Sequence, residues 1–105
     1  MNGKGVYEKH TGEKIDGTFK NNKPEGYCDV TSDQDWTYKG NMVNGLKNGQ
    51  GIYENAKIPE IYEGGFANDL YEGEGLYRND KIGLIYEGIF KEGEMTLVPN
   101  FVKFF

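Results

Sequence analysis

Residues able to do chemistry are few in this chain of 105 residues, and their surroundings decide what they are for. His10 is the only histidine and Ser32 the only serine, so a histidine metal centre and a Ser-His-acid relay both lack their parts. The pairs Gly49-Gln50-Gly51 and Gly73-Glu74-Gly75 would cradle a phosphate only between a strand and a helix N-terminus. The residues after them, Ile52-Tyr53 and Leu76-Tyr77, begin no helical period. Asp29, Asp33 and Asp35 with Ser32 resemble an oxygen-ligand set, but the glycine and glutamate of a helical calcium loop are missing, and an acidic turn is the better reading. Glu72 and Glu74 could serve as acid and base only in a desolvated pocket, and they are read as solvated. The expectation is therefore no catalytic residue, no cofactor and no metal.

Two single residues have a structural and a functional reading. Cys28 sits in an apolar slot of an alternating stretch and reads as a small buried hydrophobe. Trp36 is either a ring covering the junction between two units or an exposed binding anchor of the kind enriched at interfaces.

Charge narrows the partners. Twelve Lys and Arg against seventeen Asp and Glu give a net charge of −5, with the lysines scattered singly. Nucleic acid and anionic lipid both select clustered positive charge, so no nucleic-acid partner is expected and membrane contact is disfavoured. One cysteine and no charged-then-apolar leading segment lead to the expectation of a cytoplasmic setting. Mean hydropathy is −0.75, and sixteen glycines exclude long helices. Eight Tyr, six Phe and one Trp imply a core of rings.

The glycines fall into register. An apolar residue, any residue, then Gly recurs as Ile15-Asp16-Gly17, Tyr38-Lys39-Gly40, Tyr62-Glu63-Gly64 and Tyr86-Glu87-Gly88, with glycine spacings of 23, 24 and 24. Two residues after each anchor glycine stands Phe19, Met42, Phe66 or Phe90. Gly-x-Gly, an apolar residue and Tyr come next in the central units, ending at Tyr53 and Tyr77, and the same half-unit opens the chain as Gly3-Lys4-Gly5-Val6-Tyr7. In the first full unit it reads as Pro24-Glu25-Gly26, two residues early.

Period-two alternation makes each unit a β-hairpin, with Tyr62, Gly64 and Phe66 on one face. A strand glycine beside a ring opens a slot for that ring, so the repeat glycines Gly3, Gly5, Gly17, Gly26, Gly40, Gly49, Gly51, Gly64, Gly73, Gly75 and Gly88 read as sockets. Asn44-Gly45, Asn68-Asp69 and Glu92-Gly93 are the hairpin turns. Gly12, Asp35, Pro59 and Gly83 mark the turns between units. The resulting ribbon is on the order of 35 Å long at about 4.8 Å per strand.

This pattern of Tyr-Glu-Gly-x-Phe, a turn, Gly-x-Gly-x-Tyr and a second turn is similar to the MORN repeat (membrane occupation and recognition nexus). It runs from Gly3 to about Gly93: a half repeat at 1–14, repeats at 15–37, 38–61 and 62–85, a partial repeat at 86–94, then an apolar tail at 95–105. The resemblance implies an all-β, single-layer twisted ribbon of antiparallel hairpins without catalysis, used as a scaffold or adaptor in cytoskeletal, ciliary or axonemal assemblies. The alternative is a membrane-associated module binding phosphoinositide headgroups.

Partner proteins are expected to meet a ring face made by Tyr38, Met42, Tyr53, Tyr62, Phe66, Tyr77, Tyr86 and Phe90, together with the first strand as an open sheet edge. The apolar tail, with Leu97, Phe101, Phe104 and Phe105, is read as irregular, as a short helix begun by Pro99, or as a segment inserted into another protein. It would serve as a cap on the last hairpin or as an interface, and a homodimer is compatible with either.

Overall fold

In the computed structural model, residues 2–96 and the backbone of residues 101–104 are described. Ten strands form one antiparallel sheet: β1 (Gly3–Glu8), β2 (Glu13–Lys20), β3 (Lys23–Ser32), β4 (Trp36–Val43), β5 (Leu46–Asn55), β6 (Glu60–Ala67), β7 (Leu70–Asn79), β8 (Leu84–Lys91), β9 (Glu94–Met95) and β10 (Phe101–Phe104). From β1 to β8, spatial order follows chain order, and β9 and β10 both pair with β8. The body measures 44 × 25 × 16 Å, a ribbon one sheet thick.

Turn chemistry sets the register. The four hairpin tips are two-residue turns in which both residues take positive φ: Asn21-Asn22, Asn44-Gly45, Asn68-Asp69 and Glu92-Gly93. Mirror-image turns of this type match the right-handed twist of the flanking strands, and Asn, Asp and Gly tolerate that conformation best. Each later tip also donates a backbone N–H to the hairpin before it: Gly45 to the Pro24 carbonyl, Asp69 to Lys47 and Gly93 to Tyr71, at 2.9–3.0 Å.

With the register fixed, the small residues line up. Gly5, Gly17, Cys28, Gly40, Gly51, Gly64, Gly75 and Gly88 stand directly opposite one another from strand to strand, a seam broken once, by Cys28. The rings of Tyr38 and Tyr62 lie over this seam. A Cβ added at Gly51 would come within 2.5 Å of the Tyr38 ring, and one at Gly75 would come as close to the Tyr62 hydroxyl. Each tyrosine hydroxyl then donates to a carbonyl three residues on: Tyr38 to Asn41 at 2.6 Å, Tyr62 to Gly65 at 2.7 Å and Tyr86 to Ile89 at 3.0 Å. In the first three hairpins the register shifts at this carbonyl's residue, beside Thr18, Asn41 and Gly65.

The two glycines of Gly-x-Gly therefore do different work. The second lies under a ring. The first, Gly26, Gly49 or Gly73, sits in the bulge of the longer strand at φ of 100°, 96° and 80°, and Gly3 takes φ 85°. A Cβ at Gly3 or Gly73 would meet nothing within 4 Å, so these glycines are there for the backbone and are not sockets. The first repeat is also in register after all. Gly26 pairs with Met42 as Gly49 pairs with Phe66, and Cys28 pairs with Gly40 as Gly51 pairs with Gly64. Its half-unit is Gly26-Tyr27-Cys28, with cysteine in the place of the second glycine.

That cysteine has a physical reason. Where the other repeats have an anchor tyrosine, this one has Ile15, too short to cover the seam. The Cys28 thiol fills the slot, wholly buried, and lies 3.7 Å from the Thr18 carbonyl, the acceptor that a tyrosine at position 15 would reach. Burial, the largest cause, pushes the thiol pKa up, which keeps its proton in place for that contact.

Phenylalanines join the units. Phe66 stands edge-on to Tyr38 and to Tyr62, with ring centroids 5.1 Å apart in both pairs, and Phe90 stands edge-on to Tyr62 at 5.0 Å and Tyr86 at 5.1 Å. Edge-to-face pairs contribute about 0.5–1.5 kcal/mol each beyond area burial. Each wedge therefore belongs to two repeats.

The tail differs from the expectation. Glu94–Met95 continues from the last turn and pairs with Lys91 and Phe90, and Phe101–Phe104 pairs with Glu87 back to Leu84. The described backbone of the tail thus lies in two short strands against β8, where an irregular or helical segment was expected. Leu97 and Phe105 lie outside the described residues; Phe101 and Phe104 are placed at register positions on β10.

Substitutions in the seam test this packing. Cys28→Gly alone opens a buried slot and Ile15→Tyr alone overfills it, each costing about 1–3 kcal/mol. The double variant rebuilds an ordinary repeat and recovers most of the loss in a urea-denaturation cycle, whereas additive losses would refute the shared slot. Gly73→Ala costs about 1–2 kcal/mol of backbone strain, while Gly75→Ala, driven into the Tyr62 ring, costs clearly more by the same measurement.

Candidate binding interface

The ring face of the sheet is also the core. Tyr38, Met42, Tyr62, Phe66, Tyr86 and Phe90 are all 6% exposed or less, so these six expected contact residues are consumed by packing within the chain. What a partner could touch on this face is a second layer of half-buried rings packed against them: Trp36, Tyr53, Tyr71 and Tyr77. Of the eight residues expected on the contact face, only Tyr53 and Tyr77 stay in reach.

The repeat places this layer in two stations, 24 residues apart. At the first, Trp36 lies against Tyr53 with centroids 6.0 Å apart, and Lys47 Nζ sits 5.4 Å from the Trp36 ring, 5.5 Å from Tyr38 and 5.9 Å from Tyr53. An ammonium held by three ring faces is a cation–π cage. Asp69 stands 3.9 Å from the same ammonium.

At the second station the corresponding residues are Glu60, Tyr62, Tyr71 and Tyr77. Tyr71 takes the place of Lys47 and stacks on Tyr62 with centroids 3.8 Å apart and planes at 12°. Glu60 takes the place of Trp36 and accepts a 2.5 Å hydrogen bond from the Tyr77 hydroxyl, which itself accepts from the Asn79 amide at 3.0 Å. Two adjoining open cavities meet here. One of about 330 Å³ is lined by Lys47, Tyr53, Phe66, Asp69 and Leu70, one of about 670 Å³ by Tyr77, Ile82, Leu84, Phe90 and Met95, and both share Glu60, Tyr71 and Gly93. Leu70 and Ile82, at 47% and 60% exposed, form an apolar rim.

The back face is of another kind. Its central row reads Asp16, Asp29, Lys39, Ile52, Glu63, Leu76 and Glu87 across β2 to β8, three charged residues and then aliphatic side chains alternating with acids. Among the described residues no helix is long and apolar enough to cross a membrane, and no group of three or more His, Cys, Asp and Glu converges as metal ligands.

Comparison with known families agrees with the geometry. The MORN repeat profile matches residues 1–14, 16–31, 38–57 and 62–80, most of the chain. The chain belongs to the MORN repeat family. MORN repeats are non-catalytic and serve in protein and membrane binding. No curated protein matches the sequence. The matched stretches begin at or next to the anchors Ile15, Tyr38 and Tyr62, so this MORN protein has its hairpins where the profile has its units.

Sequence reasoning missed Lys47, Glu60, Leu70, Tyr71 and Ile82. Lys47 and Tyr71 occupy equivalent positions just after the hairpin turn, opposite Met42 and Phe66. That pairing across the turn was the available signal.

The phenols of this face titrate late. Burial pushes Tyr38 and Tyr62 up to about 12 from an ordinary value of 10.0. Burial, with the Glu60 charge next, pushes Tyr71 up, and Tyr77 moves in the same direction through burial and its bond to Glu60. A folded-state pKa raised for a group that is neutral when protonated stabilises the fold fully below the unfolded value and loses that contribution as pH rises through the folded value. The urea midpoint should therefore hold from pH 7 to about 9 and fall between about 10 and 12, with part of the tyrosinate absorbance appearing only on unfolding. All eight tyrosines titrating near 10 with no loss of stability would contradict this packing.

Proposed function

We propose that this MORN protein is a non-enzymatic adaptor that binds another protein along the half-buried ring layer, within a larger cytoskeletal or ciliary assembly in the cytoplasm. The carrying observation is the groove lined by Tyr53, Tyr71 and Tyr77, with Trp36 against its Tyr53 end and the apolar rim of Leu70 and Ile82, laid on the buried core. Rings that are partly buried beforehand lose little conformational entropy on contact, and Tyr and Trp dominate binding hot spots. The cytoskeletal or ciliary setting rests on the family alone.

Charge favours a protein over a lipid surface. Lys47, the one cation lining either cavity among the described residues, is engaged by Asp69 and three rings, and the back face carries acids between its aliphatic residues. Among the described residues, neither face presents the grouped lysines that hold phosphoinositide headgroups.

Leu70→Asp and Ile82→Asp, both on the exposed rim, should leave the melting temperature nearly unchanged and remove the partner captured from the native source by the wild-type chain. A partner lost instead through Leu76→Asp on the back face would overturn the assignment of the groove. Salt-sensitive flotation with phosphoinositide vesicles would overturn the adaptor reading.

A further inference from the structure

The two stations of the groove share one chemistry and differ in who supplies the cation. At the first, the chain's own Lys47 puts an ammonium among Trp36, Tyr38 and Tyr53 with Asp69 beside it. One repeat further along, the lysine position is Tyr71 and the tryptophan position is Glu60, which leaves rings and a carboxylate at the meeting point of the two cavities. Among the described residues, the larger cavity has Glu60 and Glu94 in its lining and no lysine or arginine.

We propose that this second station is the seat for an arginine side chain from a basic, apolar-flanked segment of the partner protein. The inference rests on the adaptor reading and specifies the partner's chemistry. The guanidinium donates to the Glu60 carboxylate while its flat face lies against the rings of Tyr71 and Tyr77, whose centroids are 6.4 Å apart and whose planes are tilted by 48°. The apolar neighbours of the arginine lie along Ile82 and Leu84.

Arginine fits better than lysine for three reasons. Its fork reaches a carboxylate through two donors, its plane stacks on rings, and it is more weakly hydrated than an ammonium on entering a half-buried site. The Tyr77 hydroxyl keeps its proton on Glu60 at neutral pH, so the carboxylate is held in place before the ligand arrives. The acidic groove and the net charge of −5 steer a basic segment toward it.

The test is an amide chemical-shift titration of the full chain with three probes, acetyl-Leu-Arg-Leu-amide and its Leu-Lys-Leu and Leu-Gln-Leu counterparts. The arginine probe should bind most tightly, shift Glu60, Tyr71, Tyr77 and Ile82, and weaken as sodium chloride rises from about 0.05 to about 0.5 M, while the glutamine probe shows no such salt response. Glu60→Gln, which keeps an acceptor for Tyr77, should weaken the arginine probe on the order of tenfold and leave the glutamine probe unchanged. Equal affinity of the three probes, no shift with any of them, an unchanged affinity in Glu60→Gln, or shifts confined to Glu63, Glu74 and Glu87 on the back face would each overturn the seat. A native partner captured equally by wild type and Glu60→Gln but lost in Ile82→Asp would overturn the arginine seat while leaving the adaptor reading intact. A partner retained by Ile82→Asp and Leu70→Asp would instead overturn the adaptor groove.

Discussion

A tyrosine ring lying flat on a pair of glycines, with its hydroxyl on a bulge carbonyl, is the contact on which the rest of this ribbon depends. A sheet one layer thick has no second sheet or helix to cover its apolar face. It can exclude water only if its own side chains lie down across it, and they can do so only where the strands beneath have no Cβ. Tyr38 over Gly40 and Gly51, and Tyr62 over Gly64 and Gly75, meet that requirement, and the bulge held by Gly49 or Gly73 frees the carbonyl that satisfies the buried hydroxyl. The first repeat shows that the requirement is physical: Ile15 and Cys28 fill the same volume and reach the same carbonyl by another route.

Most of the fold was legible because each of its signals is local. Turn pairs such as Asn44-Gly45, the alternation of Tyr62, Gly64 and Phe66, and the 24-residue period all act within one hairpin. Two things were not legible. The separate roles of the glycines in Gly-x-Gly depend on a bulge, which is a relation between two strands. The alignment of Gly26-Tyr27-Cys28 was obscured because the residue that fills a socket was compared with the glycine that makes one. For the tail, the sequence shows apolar residues and a proline, while the strand pairing comes from the open edge of β8.

The contact face was legible only in part, for a related reason. Alternation shows which side of a strand a ring is on but not whether the chain buries it; Tyr38, Tyr62 and Tyr86 are all buried, the first two over glycines of their own repeats. The residues left at the surface occupy the layer above: Trp36 and Tyr53 around Lys47, then Tyr71 and Tyr77 around Glu60. Their interest lies in the substitutions between equivalent positions, Trp36 against Glu60 and Lys47 against Tyr71. A repeat that keeps its core while varying this layer can present a different polar pattern at each step along an otherwise uniform ribbon.

The phenylalanine wedges carry a further consequence, for how such a chain can change in length. Phe66 completes the packing of both Tyr38 and Tyr62, and Phe90 that of both Tyr62 and Tyr86. Removing one strand of a hairpin would leave one wedge facing the wrong ring and shift every later glycine off the seam. Removing or duplicating a whole period leaves each ring on a glycine and each wedge between two rings. The unit that can be gained or lost with the packing intact is thus the full period, with one residue of slack in the turn between units, as the spacings of 23, 24 and 24 show.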